Sequence, residues 1–208
     1  MALFGRKPET NLRRRGDHEP GENGGAAATH RVTLNLAGVN KCAAMLARSR
    51  SAQAIEVADM LAAMYLRDWE RLSQYWDEQD HDEIEEFLRQ ICSISPQRWN
   101  SWIEHYDRER SQSERMWLRL RRWKKQEAKE TPLPASATLQ SVLKKAEELA
   151  PFRDRRDGQS IPILTTECVL LCIARSFGSV ISRRLAETGL DTSRLELDVL
   201  FPKRAPLT

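Results

Sequence analysis

Two cysteines, Cys168 and Cys172, stand four positions apart in the apolar run TECVLLC, which covers residues 166–172. In a helix, this spacing places both side chains on one face, one turn apart. Such a pair could be half of a metal site, a redox switch, or part of an ordinary apolar core. The choice depends on the elements that hold the two cysteines in place.

Other candidate chemistry is sparse. The phosphate-binding pattern G-x-x-x-x-G-K-[ST] and the G-x-S-x-G motif of serine hydrolases are both absent from the sequence. His81 and Asp82 are neighbours in the chain, and adjacent residues on a helix do not face each other. His105 lies beside Tyr106 with no nucleophile near it in the sequence. We therefore expect a non-catalytic protein without a metal ion or cofactor.

Composition narrows the class of protein. The chain has 208 residues, of which 40% are hydrophobic and 30% charged, with a net charge of only +3. So small a net charge gives no whole-protein field that would favour nucleic acid. No stretch approaches the roughly 20 apolar residues that cross a bilayer, and the first residues lack the apolar segment of a secretory signal. We expect a cytoplasmic protein with reduced cysteines.

The pattern of apolar residues predicts helices from Leu34 onward. Apolar side chains recur at three- and four-residue intervals, and alternating β-branched runs are absent, so we expect an all-α fold. Asp82 is the expected N-cap of a helix that ends before Pro96. Residues 1–30 are rich in glycine and charge and poor in large apolar side chains, which predicts a disordered tail.

The sequence also repeats itself. Shifting the first part of the chain by 109 positions aligns apolar residues and one aspartate with later counterparts. The matched pairs include Leu61 with Leu170, Asp82 with Asp191, Leu88 with Leu197, and Ile91 with Leu200. Upstream, Leu46-Ala47 matches Leu149-Ala150 at a shift of 103, so the second copy has six extra residues in its first loop. The pattern predicts repeats at 31–95 and 131–201, an inserted segment at 96–130, and a short tail at 202–208.

The second copy carries the motifs of a known family. Its first helix ends in Ala146, Leu149 and Ala150; then come Ile163, Thr166, Glu167, Leu170 and Leu171, and finally Leu185, Gly189 and Asp191. This order resembles one repeat of the amino-terminal domain of Clp-type protein-unfolding ATPases. The first copy is a looser match, with Ala44, Leu46, Ala47 and Ile55. The resemblance implies two four-helix units and a protein-binding groove between them.

The chain departs from that family in three ways. Cys168 and Asp59 replace the histidine of the second and first repeats, and about 35 residues separate the repeats instead of a short linker. In the resemblance, Cys168 and Cys172 take the places of a helix-start residue and a small core residue. Because free cysteine behaves as a small, commonly buried hydrophobe, we expect the pair to belong to the core.

The inserted segment, predicted to be a helix or helical hairpin, concentrates tryptophan and arginine. Basic and aromatic residues at helical spacing can pack on the repeats, bind a protein partner, or meet an anionic membrane or nucleic acid. The candidate partner-binding residues are Trp99, Trp102, Trp117, Arg119, Arg122 and Trp123.

Two functions follow as hypotheses. The first is a non-catalytic protein-binding module, related to Clp amino-terminal domains, that acts as an adaptor, accessory subunit or decoy in protein quality control. Its partner would be a Clp chaperone or protease component, or a client of one, and it would have no small-molecule substrate. The alternative is a nucleic-acid- or membrane-associated regulator that uses the basic aromatic stretch 115–125.

Overall fold

The computed structural model describes residues 31–76, 81–111, 132–156, 159–176 and 178–202. Helices account for most of this part of the chain, which confirms the expected helical class. The predicted tail at 1–30, the basic stretch 115–125 and the last six residues lie outside the described residues. We refer to residues 31–111 as the first half and residues 132–202 as the second half.

The first half contains four helices. They are α1 (Leu34–Ser49), α2 (Val57–Leu72), α3 (His81–Ile91) and α4 (Pro96–Ser111), with a short 3-10 turn at Ser73–Tyr75 after α2. The stripe that predicted α1 is its buried face, because Leu36, Val39 and Leu46 are all fully buried. This buried face packs mainly against α2. The periodic apolar pattern of α1 therefore forms the most extensive contact between helices in this half.

The second half also contains four helices, and each is shorter than α1 or α2. They are α5 (Ala137–Leu149), α6 (Thr166–Ala174), α7 (Val180–Glu187) and α8 (Thr192–Leu200). The residue just before each helix has a side-chain oxygen that accepts a hydrogen bond from an amide of the first turn. These N-caps are Ser136, Thr165, Ser179 and Asp191, the residue types that most often satisfy free helical amides.

A small three-stranded sheet accompanies the helices and was not expected from the sequence. Its strands are β1 (Arg31–Val32), β2 (Phe152–Arg156) and β3 (Gln159–Leu164), in the order β1-β3-β2. β2 and β3 are antiparallel, whereas β1 and β3 are parallel. The enlarged first loop predicted for the second copy is thus a hairpin. The charges of β2 and the proline of β3 are unusual in strands, so neither segment shows an alternating β pattern.

Two matched hydrogen bonds join the halves. The amide of Thr33, just before α1, donates to the carbonyl of Leu164 at 3.0 Å. The amide of Ser136, just before α5, donates to the carbonyl of Ile55 at 2.9 Å. In both places the hydroxyl of the same residue accepts from the amide three positions on, at 3.3 Å. In both cases, the residue just before the first helix of one half is hydrogen-bonded to the segment just before the second helix of the other half.

The alignment of the two copies pairs α3 with α8, and these two helices follow a different register from the one predicted. α3 begins at His81 and α8 at Thr192, which are 111 positions apart. Leu88 is 3% exposed, whereas Leu197, its predicted counterpart, is 60% exposed. The buried counterpart of Leu88 is Val199. Burial decides the register because only the inward-facing residues of each helix can share a core position.

The same shift corrects two other pairings. Leu200, which was paired with the half-buried Ile91, is 46% exposed. Asp191 caps α8 and accepts a hydrogen bond from the amide of Arg194 at 2.9 Å. Asp82 instead lies within the first turn of α3, so the prediction that Asp82 is an N-cap was wrong. A carboxylate in that turn still interacts favourably with the helix dipole.

Polar side chains strengthen the junction between the halves. Tyr75 donates a hydrogen bond to Asp198 at 3.0 Å, and Arg71 forms an ion pair with Glu167 at 3.1 Å. Burial raises the pKa of Tyr75, and the charge of Glu167 and the bond to Asp198 raise it further. The Tyr75 hydroxyl therefore stays protonated and remains a donor.

Leu61 and Leu170 test the core of both halves. They are 3% and 1% exposed, as predicted for central positions on α2 and α6. Replacing either with alanine is expected to cost about 2–5 kcal/mol of unfolding free energy, because each change leaves a cavity. Leu197→Ala is the matched control and should have little effect, since that leucine is already exposed. Urea unfolding of the three variants measures this, and a stable Leu61→Ala or Leu170→Ala protein would contradict it.

Candidate functional site

The structure divides the predicted partner-binding residues into three groups. Trp99 on α4 is fully buried, so it is a core residue and cannot be an accessible anchor. Trp102 on the same helix is half-buried and packs against the core from the outside. The other four residues, which are Trp117, Arg119, Arg122 and Trp123, lie outside the described residues.

A row of aromatic rings runs along α2 from the buried Trp99. The Tyr65 ring lies 5.9 Å from that of Trp99 and 4.8 Å from that of Trp69, measured between centroids. Trp69 in turn lies 5.2 Å from Trp76, in the turn after α2. Tilted rings at these distances stabilise one another beyond their burial. The row leads from the core beneath α4 to the junction with the second half.

The four cysteines all lie in the core. Cys168 and Cys172 are buried as predicted, and so are Cys42 and Cys92. Burial raises the pKa of the Cys172 thiol to about 11 and that of Cys92 to about 12, and it raises the pKa of Cys168 as well. Because the thiolate is the reactive form, these raised pKa values keep the thiols inert at neutral pH.

A cleft of about 380 Å³ opens between α3 of the first half and α7 of the second. Acidic side chains dominate its lining: three of them come from the first two turns of α3, and one comes from the end of α7. The cleft is lined by Asp82, Glu83, Glu86, Phe87, Arg184, Glu187 and Thr188. The first turn of α3 is therefore directed toward the other half of the molecule.

A buried aromatic ring and an arginine are among the residues that line the cleft. Phe87 is 3% exposed, so its ring is held in place by the core. The guanidinium carbon of Arg184 lies 6.0 Å from the centre of that ring, at the outer limit of a cation–π contact. Arg184 also pairs with Glu187 at 2.8 Å, and both side chains are about half exposed. A cation placed on the Phe87 ring is thus already a feature of this protein.

The aromatic row ends at the wall of the cleft. The indole nitrogen of Trp76 donates to the hydroxyl oxygen of Thr188 at 3.3 Å. The Thr188 hydroxyl donates in turn to the carbonyl of Leu185 at 2.9 Å, within α7. At the start of α3, the indole nitrogen of Trp69 donates to Nδ1 of His81 at 3.1 Å. The cleft therefore has rigid walls on both sides.

The charge of the cleft is set by its carboxylates. Hydrogen bonds from Arg89 and from Gln90 lower the pKa of Glu86, so this group stays ionised. The arrangement can accept a cationic side chain, because the four carboxylates of its lining outnumber the one arginine. Among these acids, the sequence singled out only Asp82, as the cap of a helix. Their role as a cleft wall depends on α7, about 100 residues away, which no local pattern reports.

The described residues contain neither a metal-binding cluster nor a membrane-spanning helix. Among them, no three histidine, cysteine or acidic side chains come together as a metal site would require. No described helix has the length and apolar character needed to span a membrane. No protein-family model matches this chain, and a comparison with curated proteins finds no significant match.

Proposed function

We propose that this chain is a non-catalytic protein-binding module, made of two repeats of the Clp amino-terminal type, that binds basic segments of partner proteins in the α3–α7 cleft. It would act in the cytoplasm as an adaptor, accessory subunit or decoy in protein quality control. Its partner would be a Clp chaperone or protease component, or a client of one. The observation that carries the proposal is the cleft at the junction of the halves, which four acidic side chains line.

The repeat origin is supported by the matched junction bonds. A duplicated unit should make the same contact twice with the roles of the two copies exchanged, as a pseudo-twofold axis requires. Thr33 with Leu164 and Ser136 with Ile55 are such a pair of contacts. The resemblance of the second half to a Clp repeat places the family's binding groove between repeats, which is where this cleft lies.

The lining of the cleft supports a protein ligand over a small molecule. The cleft is not enclosed, and the charges of Arg184 and Glu187 at its edge are about half exposed. Protein interfaces commonly combine a buried aromatic anchor point with a polar rim. Lysine and arginine side chains of a partner would match the acids that line the cleft.

Site-specific cross-linking tests the proposal. A photo-reactive amino acid at Glu83, in the cleft, should capture discrete proteins in cells, and mass spectrometry should identify a Clp chaperone, protease subunit or client. The same group at Glu148, exposed on α5 away from the cleft, is the matched control and should not capture them. Glu83→Arg should weaken binding of the captured partner about tenfold, equivalent to about 1.4 kcal/mol, whereas Glu148→Arg should leave it unchanged.

The outcomes separate the two hypotheses. Equal cross-linking from both positions, or no discrete product from Glu83, would count against the cleft as a protein-binding site. Salt-sensitive binding to DNA, RNA or anionic vesicles that is insensitive to Glu83→Arg would favour the regulator that uses residues 115–125. Binding of a partner without any link to protein quality control would retain the cleft and reject the Clp-related role.

A further inference from the structure

The strand β2 has a neighbour on one side only within the described part of the chain. The order β1-β3-β2 places it at the end of the sheet, and β3 is the only described element packed extensively against it. A strand in this position has a row of amide and carbonyl groups that point away from the sheet. The five residues of β2 are therefore a template to which another strand can bind.

The register identifies which groups point outward. β2 pairs with β3 through Phe152 with Ile163, Arg153 with Pro162, Asp154 with Ile161, Arg155 with Ser160, and Arg156 with Gln159. In an antiparallel pair, hydrogen-bonded positions alternate with positions whose amides and carbonyls face away. Proline has no amide hydrogen, which places Pro162 and its partner Arg153 at a position that is not hydrogen-bonded. The backbone groups of Arg153 and Arg155 thus form the free edge.

The closing pair of the hairpin leads to the same assignment. Two residues, Asp157 and Gly158, separate Arg156 from Gln159. In hairpins with two-residue connections, the pair that closes the loop is hydrogen-bonded. Counting back from Arg156 by steps of two makes Asp154 and Phe152 hydrogen-bonded to β3. Arg153 and Arg155 again remain as the residues whose backbone groups face outward.

The charge of the strand selects the partner. The sequence of β2, Phe-Arg-Asp-Arg-Arg, contains three arginines and one aspartate. Side chains directly opposite each other on paired strands interact, so like charges there are destabilising and opposite charges favourable. A second copy of β2 would bring arginines against arginines. We propose that the outer edge of β2 binds an extended, acidic segment of a partner protein by strand addition.

The first half of the chain provides an internal comparison. The equivalent loop between α1 and α2 makes only an isolated parallel bridge, between Ile55 and Ala135, and has no hairpin. The edge of β2 therefore comes from residues that the second half has in addition to the shared pattern. This surface is separate from the α3–α7 cleft, so the inference goes beyond the proposed function and can fail independently of it.

Two proline variants test the assignment of the edge in the full-length protein. Arg155→Pro removes an outward amide, which an edge strand tolerates, and should leave thermal unfolding close to that of Arg155→Ala. Asp154→Pro removes an amide that bonds to β3 and should lower the melting temperature below that of Arg155→Pro. If Asp154→Pro is no less stable than Arg155→Pro, the free edge has been assigned to the wrong residues.

The binding test uses a fluorescein-labelled peptide of alternating valine and glutamate residues. Fluorescence anisotropy should show saturable binding to the wild type and weaker binding to Arg155→Ala, which loses charge but keeps the amide. Arg155→Pro should bind about tenfold more weakly than Arg155→Ala, the effect of one lost hydrogen bond in the complex. Glu83→Arg, in the cleft, should bind the peptide like the wild type.

Three results would overturn the inference. The first is equal affinity of Arg155→Ala and Arg155→Pro for the acidic peptide, which would show that the backbone amide of residue 155 takes no part in binding. The second is binding of a valine–lysine peptide as tight as that of the acidic one, or no saturable binding of either. The third is a concentration-dependent dimer, seen by sedimentation, that Arg155→Pro dissociates, because the occupant of the edge would then be a second copy.

Discussion

Replacing Trp99 with alanine is expected to lower the unfolding free energy by about 3–5 kcal/mol, the cost typical of a buried tryptophan. Its side chain is fully buried, and its ring contacts the aromatic row at Tyr65. The change would remove the main anchor of α4 and leave a large cavity against α2. Urea unfolding followed by circular dichroism measures the loss, since the denaturation midpoint falls in proportion to stability at constant slope.

Trp102→Ala is the matched control on the same helix. Trp102 is half-buried and stacks on Tyr106 with ring centres 6.0 Å apart, so its loss should cost clearly less than that of Trp99. Trp99→Phe should be milder than Trp99→Ala, because it keeps most of the ring. It also removes an indole nitrogen that is buried without a hydrogen-bond partner among the described residues. Equal stability of Trp99→Ala and the wild type would mean that α4 does not belong to the core.

The helices could be predicted because their signals are local. The stripe of α1 and the acids at the start of α3 follow from the spacing of residues within one helix. The offset of 109 between the copies held for Leu61 and Leu170, but failed in the last helix, where Leu197 is exposed. The two copies share few identical residues and were aligned by their apolar positions. Such an alignment cannot distinguish an exposed leucine from a buried one. Burial depends on neighbours that the alignment does not contain.

The hairpin and the cleft depend on contacts that the sequence does not display. The Asp157-Gly158 pair is a recognised hairpin signal, and flanking apolar residues such as Phe152 and Ile161 could have supported it. The segment was predicted only as an enlarged loop. The packing of the two halves brings the cleft residues Phe87, Arg184 and Thr188 together. No local sequence pattern therefore indicates that they share a site. Trp99 was recognised as notable, but composition alone could not distinguish a buried anchor from an exposed one.

The ion pair of Arg50 with Asp59 illustrates the same limit and gives the second large expected effect. Asp59 is fully buried and lies 2.6 Å from the guanidinium of Arg50, which is 26% exposed. A carboxylate oxygen of Asp59 also accepts a hydrogen bond from the amide of Glu56 at 2.9 Å, at the start of α2. The sequence showed Asp59 only as a departure from a family histidine, and it gave no reason to single out Arg50.

Arg50→Met is expected to cost about 3–5 kcal/mol of unfolding free energy, because it leaves a buried carboxylate without its counter-charge. Asp59→Asn in the Arg50→Met background should recover part of that loss, since the amide is neutral and can still accept from Glu56. Arg48→Met, two positions earlier at the exposed end of α1, is the matched control and should change stability far less. Urea unfolding of the wild type, Arg50→Met, Asp59→Asn and the double variant completes the cycle, with Arg48→Met measured beside them. A double variant that is no more stable than Arg50→Met would show that the cost arises from lost packing of the arginine stem. If Arg50→Met has the same unfolding free energy as the wild type, the buried carboxylate does not depend on the ion pair.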